Sequence, residues 1–297
     1  MFKYSYQTMP KDTTIIEGMK VVKGDTSNLR ATIKQDQLYI TKDNKDLHLR
    51  ILRPESINKE TDQTKYPLLV HVQGSAYMKQ NLNDHVMDLK EIVTSGFVVA
   101  IVEYRESSIA KMPAQVDDVF DALHYIHENY ETLQVDENRI YLSGDSSGGH
   151  AALMCWAQLP TKEKDYYPNI RGVMDFYGAV DLLDLLNHES AIDHSGTQSA
   201  EGIALGGAPE DPNMIERIKE TSVLTYIKKD LENVPLLVLH GNKDRLVPFG
   251  QSVLLYNACK EANKNIEFYC VEDADHGGSA FYCKAVYDII LNFLHTK

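Results

Sequence analysis

A chain of 297 residues with 43% hydrophobic and 25% charged residues has the composition of a globular protein long enough to bury one large core. Its formal net charge of −13 repels polyanions, and no basic cluster interleaved with aromatics offsets it, so nucleic acid is not expected as a partner. The longest apolar stretches, such as Phe97–Val102, are strand-sized and too short to cross a bilayer, and Met1 to Pro10 has no apolar signal-peptide core. No membrane partner and a cytoplasmic location are therefore expected.

In chain order, two β-like runs come first, Gln37–Thr41 and Leu47–Leu52, joined by the turn-forming Asp43-Asn44 pair as an antiparallel hairpin. A polar loop over Glu55–Lys65 follows. Short, nearly continuous apolar runs then alternate with helical periodicities: Leu68–Val72, Phe97–Val102, Ile140–Leu142, Val173–Phe176, Leu236–Leu239 and Ile266–Val271. Such runs are buried on both faces, as in a mostly parallel sheet covered by helices. Val116, Val119, Phe120, Leu123 and Ile126 share one face of a helix opening after Pro113. Phe281, Ala285, Val286, Ile289, Ile290 and Phe293 mark a closing helix. Strand–helix alternation of this length predicts one doubly wound α/β domain over residues 1–297. Asp181–Leu224, rich in Gly and Pro, breaks the rhythm and is expected to be a small lid-like insertion. Cys155, Cys259, Cys270 and Cys283 form no C-x-x-C pair and are expected as buried free thiols, with a Cys270–Cys283 disulfide as the alternative.

The chemistry concentrates after three of the strands. Arg139–Ser143 runs into Gly144-Asp145-Ser146-Ser147-Gly148-Gly149-His150 and then a helix-forming segment, the strand–turn–helix context of a G-x-S-x-G nucleophile elbow. The glycines centre on Ser146, so Ser147 is expected to supply a backbone N–H and not a nucleophile. A serine hydroxyl needs a base, and the base needs an orienting acid, in the chain order Ser, Asp, His. Asp244 follows a buried strand at its C-terminal end, where open sheets build their sites. Asp273 and Asp275 lie too close to the histidine to be preferred. His276, followed by two glycines, is the candidate base among eleven histidines. His240, four residues before Asp244, is expected to shape that loop. His124 and His127 lack further ligands and read as a solvated helix face, so no metal and no cofactor is expected. Oxyanion donors are expected from Ser147 and from the loop Gln73-Gly74-Ser75-Ala76-Tyr77, with Ser75 and Ala76 preferred. Tyr77 and Tyr177 are candidates for lining the substrate pocket.

Assembled, these motifs resemble the acetyl- and feruloyl-esterase-like branch of the hormone-sensitive-lipase-type α/β hydrolases. The resemblance runs from about Leu47 to Leu294. It includes the elbow, Pro113-Ala114-Gln115, Phe176-Tyr177-Gly178-Ala179-Val180-Asp181-Leu182, Leu205-Gly206-Gly207, His240-Gly241-x-x-Asp244-x-x-Val247-Pro248 with Gln251-Ser252, and His276-Gly277-Gly278 with Phe281. One segment departs: such enzymes carry His-Gly-Gly-Gly where this chain has Gln73-Gly74-Ser75-Ala76. Donors at Ser75 and Ala76 survive that change if φ is negative there, and Gln73 must replace the usual histidine in holding the loop.

The resemblance implies a serine carboxylesterase with a small-molecule ester substrate, short-chain or attached to an oligosaccharide. Two other readings stand beside it. One is a serine peptidase of the prolyl-oligopeptidase type, which resembles the same motifs but generally adds a large N-terminal propeller. The other is a binding protein on an inactive hydrolase scaffold, which typically lacks a triad residue.

Overall fold

The computed structural model describes residues 3–59, 62–162, 166–228 and 231–297. Asp43 and Asn44 adopt φ of 49° and 59°, the left-handed pair that a two-residue hairpin turn needs and that Asp and Asn tolerate best. They join β2 (Gln37–Lys42) to β3 (Lys45–Glu55). β3 also pairs antiparallel with β1 (Arg30–Ile33) and with β5 (Val98–Val102). β1 has no sequence signature, because its four residues are half-buried or exposed and carry no strong alternation. Of the loop predicted over Glu55–Lys65, residues 60 and 61 lie outside the described residues.

The remaining pairings are parallel and include β4 (Tyr66–Val72), β6 (Val135–Asp145), β7 (Ile170–Phe176), β8 (Leu236–Gly241) and β9 (Ile266–Val271). The sheet order is β1-β3-β5-β4-β6-β7-β8-β9, with β2 attached to β3. Every residue of β4, β5 and β8 is buried, as continuous apolar runs covered on both faces require. One face packs on α2 (Ala114–Leu133), α3 (Ser146–Gln158) and α6 (Gly250–Glu261) through Val116, Leu123, Leu153 and Leu255. The other packs on α1 (Lys90–Thr94) and α7 (Lys284–Thr296) through Ile92, Val93, Val286 and Ile290. This is the α/β-hydrolase architecture. The closing helix begins later than its periodicity predicts: Phe281 lies in a 3-10 turn, Ser279–Tyr282, and is buried under the helix instead of within it.

Residues 181–224 hold a 3-10 turn at Asp184–Asn187, α4 (Ala200–Leu205) and α5 (Ile215–Thr221). Ser199 caps α4 by accepting the Gly202 N–H. Leu182, Leu185, Ala204, Leu205 and Ile218 form a third apolar cluster with Tyr77, Met112 and Val247. Buried Gln251 on α6 accepts the N–H groups of Val180 (2.8 Å) and Asp181 (2.9 Å), fixing where this segment leaves the sheet. All four cysteines are free, so Cys270 and Cys283 form no disulfide. Both are exposed and not buried as expected, Cys270 because β9 is an edge strand with a half-solvated face. Among the described residues no helix is long and apolar enough to cross a membrane.

Candidate active site

β6 turns into α3 at Asp145-Ser146, and the turn is paid for in backbone strain: Ser146 has φ of 51°, a left-handed conformation that costs a non-glycine residue about 1–2 kcal/mol. The flanking glycines are steric necessities. A Cβ on Gly144 would meet Gly148 O at 2.3 Å, and one on Gly148 would meet Val72 O at 2.1 Å. The close crossing of β4, β6 and α3 at the elbow therefore requires glycine at these two positions, which holds the Ser146 hydroxyl above the sheet at a helix N-terminus.

Ser146 Oγ lies 2.9 Å from Nε2 of His276, and Nδ1 of His276 lies 2.7 Å from Oδ2 of Asp244. Asp244 follows β8 and His276 follows β9, so neighbouring parallel strands deliver both to the same end of the sheet as the elbow. The Asp244 side chain is fully buried. Its Oδ1 accepts the N–H groups of Leu246 (2.8 Å) and Val247 (2.9 Å), and His240 Nε2 approaches Oδ2 at 3.2 Å. Burial by itself would raise this carboxyl. Hydrogen bonds from His240 and His276 outweigh it and hold the pKa down at about 2. His240 is itself fixed by Ser252 Oγ (2.7 Å) and Val247 O (3.0 Å). The rival acids point elsewhere: Asp275 binds Arg245 and Asp273 binds Lys243.

The loop after β4 departs from expectation in an instructive way. The Ser75 N–H, expected as an oxyanion donor, donates to Ser147 Oγ (2.9 Å), as does the Tyr77 N–H (3.1 Å). The Ser147 hydroxyl is therefore an anchor for this loop, a role the sequence does not signal. Tyr104 OH closes the anchor, 3.3 Å from Ser147 Oγ and 2.9 Å from Ser75 Oγ. The Ala76 amide donates to no acceptor among the described residues, and Ser147 is at the second position of α3, whose amide has no intrahelical partner. Ala76 has φ of 53° and not the negative value expected, so alanine carries strain where glycine would not. Gln73 holds the loop as expected, donating from Nε2 to Asn81 O at 2.9 Å.

Tyr177 lines a cleft with His85, Asp145, His276, Gly277 and Tyr282, its ring edge-on to His276 with centroids 4.6 Å apart. Tyr77 is not in that cleft. It is buried in the third apolar cluster, and its OH donates to His150 Nδ1 (2.8 Å), while His150 Nε2 donates to Thr221 O (2.7 Å). Burial lowers the His150 pKa to about 4, keeping the ring neutral and able to do both. This relay ties the loop after β4 through α3 to α5, and no local motif announces it.

Asp175, on β7 beneath the elbow, also lacked a sequence signal. Burial raises its pKa to about 8, and among the described residues the Gly178 N–H is its one hydrogen-bond donor. The carboxyl is protonated at neutral pH in the folded chain and ionised in the unfolded one. Its contribution to stability is thus fully present below the unfolded value near 4 and is lost as pH rises through about 8. Each pH unit in that window costs about 1.4 kcal/mol, roughly 2 °C for a chain of this size. Asp175→Asn, which has no proton to lose, is expected to flatten the fall of Tm over that window. Calorimetry from pH 5 to 8 (approximate limits set by the linkage) checks this, and identical slopes for the two proteins would contradict it.

Strand order, elbow and serine–histidine–carboxylate geometry define the class, an α/β hydrolase. The BD-FAE family model matches residues 56–259, well over half of the chain, and the chain belongs to that family of α/β-hydrolase esterases. It is 26% identical over 208 residues to the esterase LipQ of Mycobacterium tuberculosis, covering 66% of this chain and 46% of LipQ. It is 24% identical over 267 residues to the acylamino-acid-releasing enzyme of Rattus norvegicus, covering 84% of this chain and 34% of that enzyme. The chain spans between a third and a half of the length of such curated relatives. Among solved structures, a truncated carbohydrate esterase from gut microbiota superposes with a TM-score of 0.76 at 23% identity, over 92% of this chain and 98% of that one. At that identity the likeness speaks to the fold.

Proposed function

We propose that the chain is a serine carboxylesterase that cleaves short-chain acyl esters through an acyl-enzyme, with Ser146 as nucleophile, His276 as base and Asp244 as orienting acid. The observation that carries this reading is the unbroken chain Ser146 Oγ–His276–Asp244 at 2.9 and 2.7 Å, within the reach that proton transfer needs. His276 Nε2 takes the hydroxyl proton as Oγ attacks the ester carbonyl, while Asp244 holds Nδ1–H and stabilises the imidazolium. The carbonyl oxygen, now negative, is met by the N–H groups of Ala76 and Ser147; Ser75, whose amide is spent on Ser147 Oγ, is not a donor. One such donor is typically worth about 3 kcal/mol to the transition state. The imidazolium returns its proton to the leaving alkoxide, and a water activated by the same ring releases the acid.

The acyl side is small in this reading. Residues 181–224 form a lid-like wall, fastened to the loop after β4 by the Tyr77–His150–Thr221 relay. Tyr177 packs edge-on to His276 within the cleft. Acylated sugars are the natural alcohol class to test, given the carbohydrate esterase among the structural neighbours. A panel of p-nitrophenyl acetate, butyrate and laurate with acetylated oligosaccharides is expected to show acetyl and butyryl esters hydrolysed at least tenfold faster than the laurate, the order of discrimination a few methylenes of pocket length provide. Equal turnover of laurate contradicts the short pocket. Faster turnover of an aminoacyl or acylaminoacyl p-nitroanilide than of any ester contradicts the esterase reading itself.

A further inference from the structure

A second cluster of polar side chains sits beside the nucleophile and has no part in the proton relay. His71 on β4, His85 in the turns before α1 and Asp145 at the end of β6 converge there: their ligand atoms all lie within 4.8 Å of one another. His71 Nε2 is 3.3 Å from Asp145 Oδ1, and His85 Nε2 is 3.6 Å from Asp145 Oδ2. The two imidazoles pack edge to face with centroids 5.4 Å apart. His71 is 3% exposed and its Nε2 is buried without a well-formed hydrogen bond, an orphan aimed into the cluster. Buried polar atoms are rarely left so.

The outer nitrogens are already engaged, as those of metal-bound histidines are. His71 Nδ1 meets Ser143 Oγ at 3.0 Å, and His85 Nδ1 meets the Asp88 carboxylate at 3.3 Å. These partners orient both Nε2 atoms toward Asp145. We infer that His71, His85 and Asp145 form a binding site for a first-row divalent cation, Zn2+ by its donor set. Two imidazoles and a carboxylate are the three-ligand pattern of an open zinc site, with N and O ligands at about 2.0–2.2 Å. Ligands at that radius stand about 3.3 Å apart in a tetrahedron; His71 and His85 approach different oxygens of Asp145, whose Oδ1 also accepts the Gly74 N–H at 2.8 Å, so one carboxylate oxygen reaches both imidazoles only after a small adjustment. The histidines close the remainder by a small shift of His85, which lies in turns and not in a regular element.

His71 forms the buried back of the site, whereas His85 and Asp145 line the cleft shared with His276 and Gly277. The open coordination position faces that cleft, where a water or an oxygen of a bound substrate completes the shell. The site binds metal whether or not the chain is an esterase, because none of its ligands belongs to the proposed triad. It escapes sequence reading because its ligands are 14 and 60 residues apart on separate elements.

The test is metal binding by the whole chain after chelator treatment and dialysis, with Zn2+ followed by calorimetry and native mass, and Co2+ by its visible absorption. The expected result is saturation at one Zn2+ per chain in the micromolar range or tighter, with the visible bands of four-coordinate Co2+. His85→Ala, at a half-buried position where truncation leaves the core intact, is expected to weaken binding at least tenfold, and His124→Ala on the α2 surface is expected to leave it unchanged. Absence of saturable binding to the wild type, or equal affinity in His85→Ala, overturns the site.

Discussion

Asp244→Asn is expected to lower kcat by about four orders of magnitude while the chain stays folded, the size of loss that follows when a base histidine is held in the wrong tautomer. The carboxylate accepts at both oxygens: Oδ1 from the Leu246 and Val247 amides, Oδ2 from His276, with His240 close by. The backbone pair can keep the amide oxygen of asparagine in place. The amide nitrogen then faces His276 Nδ1, which must become an acceptor, and the ring proton moves to Nε2. A ring protonated at Nε2 cannot take the Ser146 proton. The carboxylate is held at about pKa 2, so the wild type suffers no comparable loss from titration of Asp244 above about pH 4, two units beyond that value. Steady-state kinetics with circular dichroism as the fold control checks both halves of the expectation. A loss below about tenfold means that Asp244 does not orient the base.

Ser146→Ala and His276→Ala are each expected to remove about 10⁴–10⁶-fold of kcat, and the double variant little more, because nucleophile and base act as one unit. Stability is expected to be nearly untouched at position 146. Ser146 holds φ at 51°; alanine inherits that strain and loses only the hydroxyl, so Tm is expected to change by no more than a few degrees. Additive losses in the double variant contradict a shared mechanism. A rise in KM with kcat unchanged places both residues in ground-state binding instead.

Much of this was legible in the sequence because the relevant signals are local. A parallel strand covered on both faces reads as an apolar run, and β4, β5 and β8 do. The elbow reads as G-x-S-x-G because two Cβ atoms have no room there. Asp244 and His276 each follow a readable strand, and the sheet order alone brings them together. What stayed hidden depends on pairs far apart in the chain. Its neighbours in sequence make Ser75 look like a donor to substrate, yet the direction of its amide is set by Ser147 Oγ, 72 residues away. Tyr77 has the position of a pocket residue in the sequence, yet its hydroxyl is held by His150. The positive φ of Ala76 and Tyr77 could not be read from residue types that rarely adopt it. β1 and α1 leave no readable pattern, because a four-residue edge strand and a five-residue helix carry too few periods to register.

The central claim, that Ser146 alone carries the acyl group, is tested most directly by labelling with a fluorophosphonate probe and reading intact mass on the wild type, Ser146→Ala and Ser147→Ala. The wild type is expected to gain one adduct and Ser146→Ala none. Ser147→Ala is expected to label as well, more slowly, because alanine keeps the backbone amide at position 147 but removes the hydroxyl that anchors the Ser75 and Tyr77 amides. Labelling that persists in Ser146→Ala and disappears in Ser147→Ala contradicts the assignment of the nucleophile and, with it, the mechanism built on the Ser146–His276 contact.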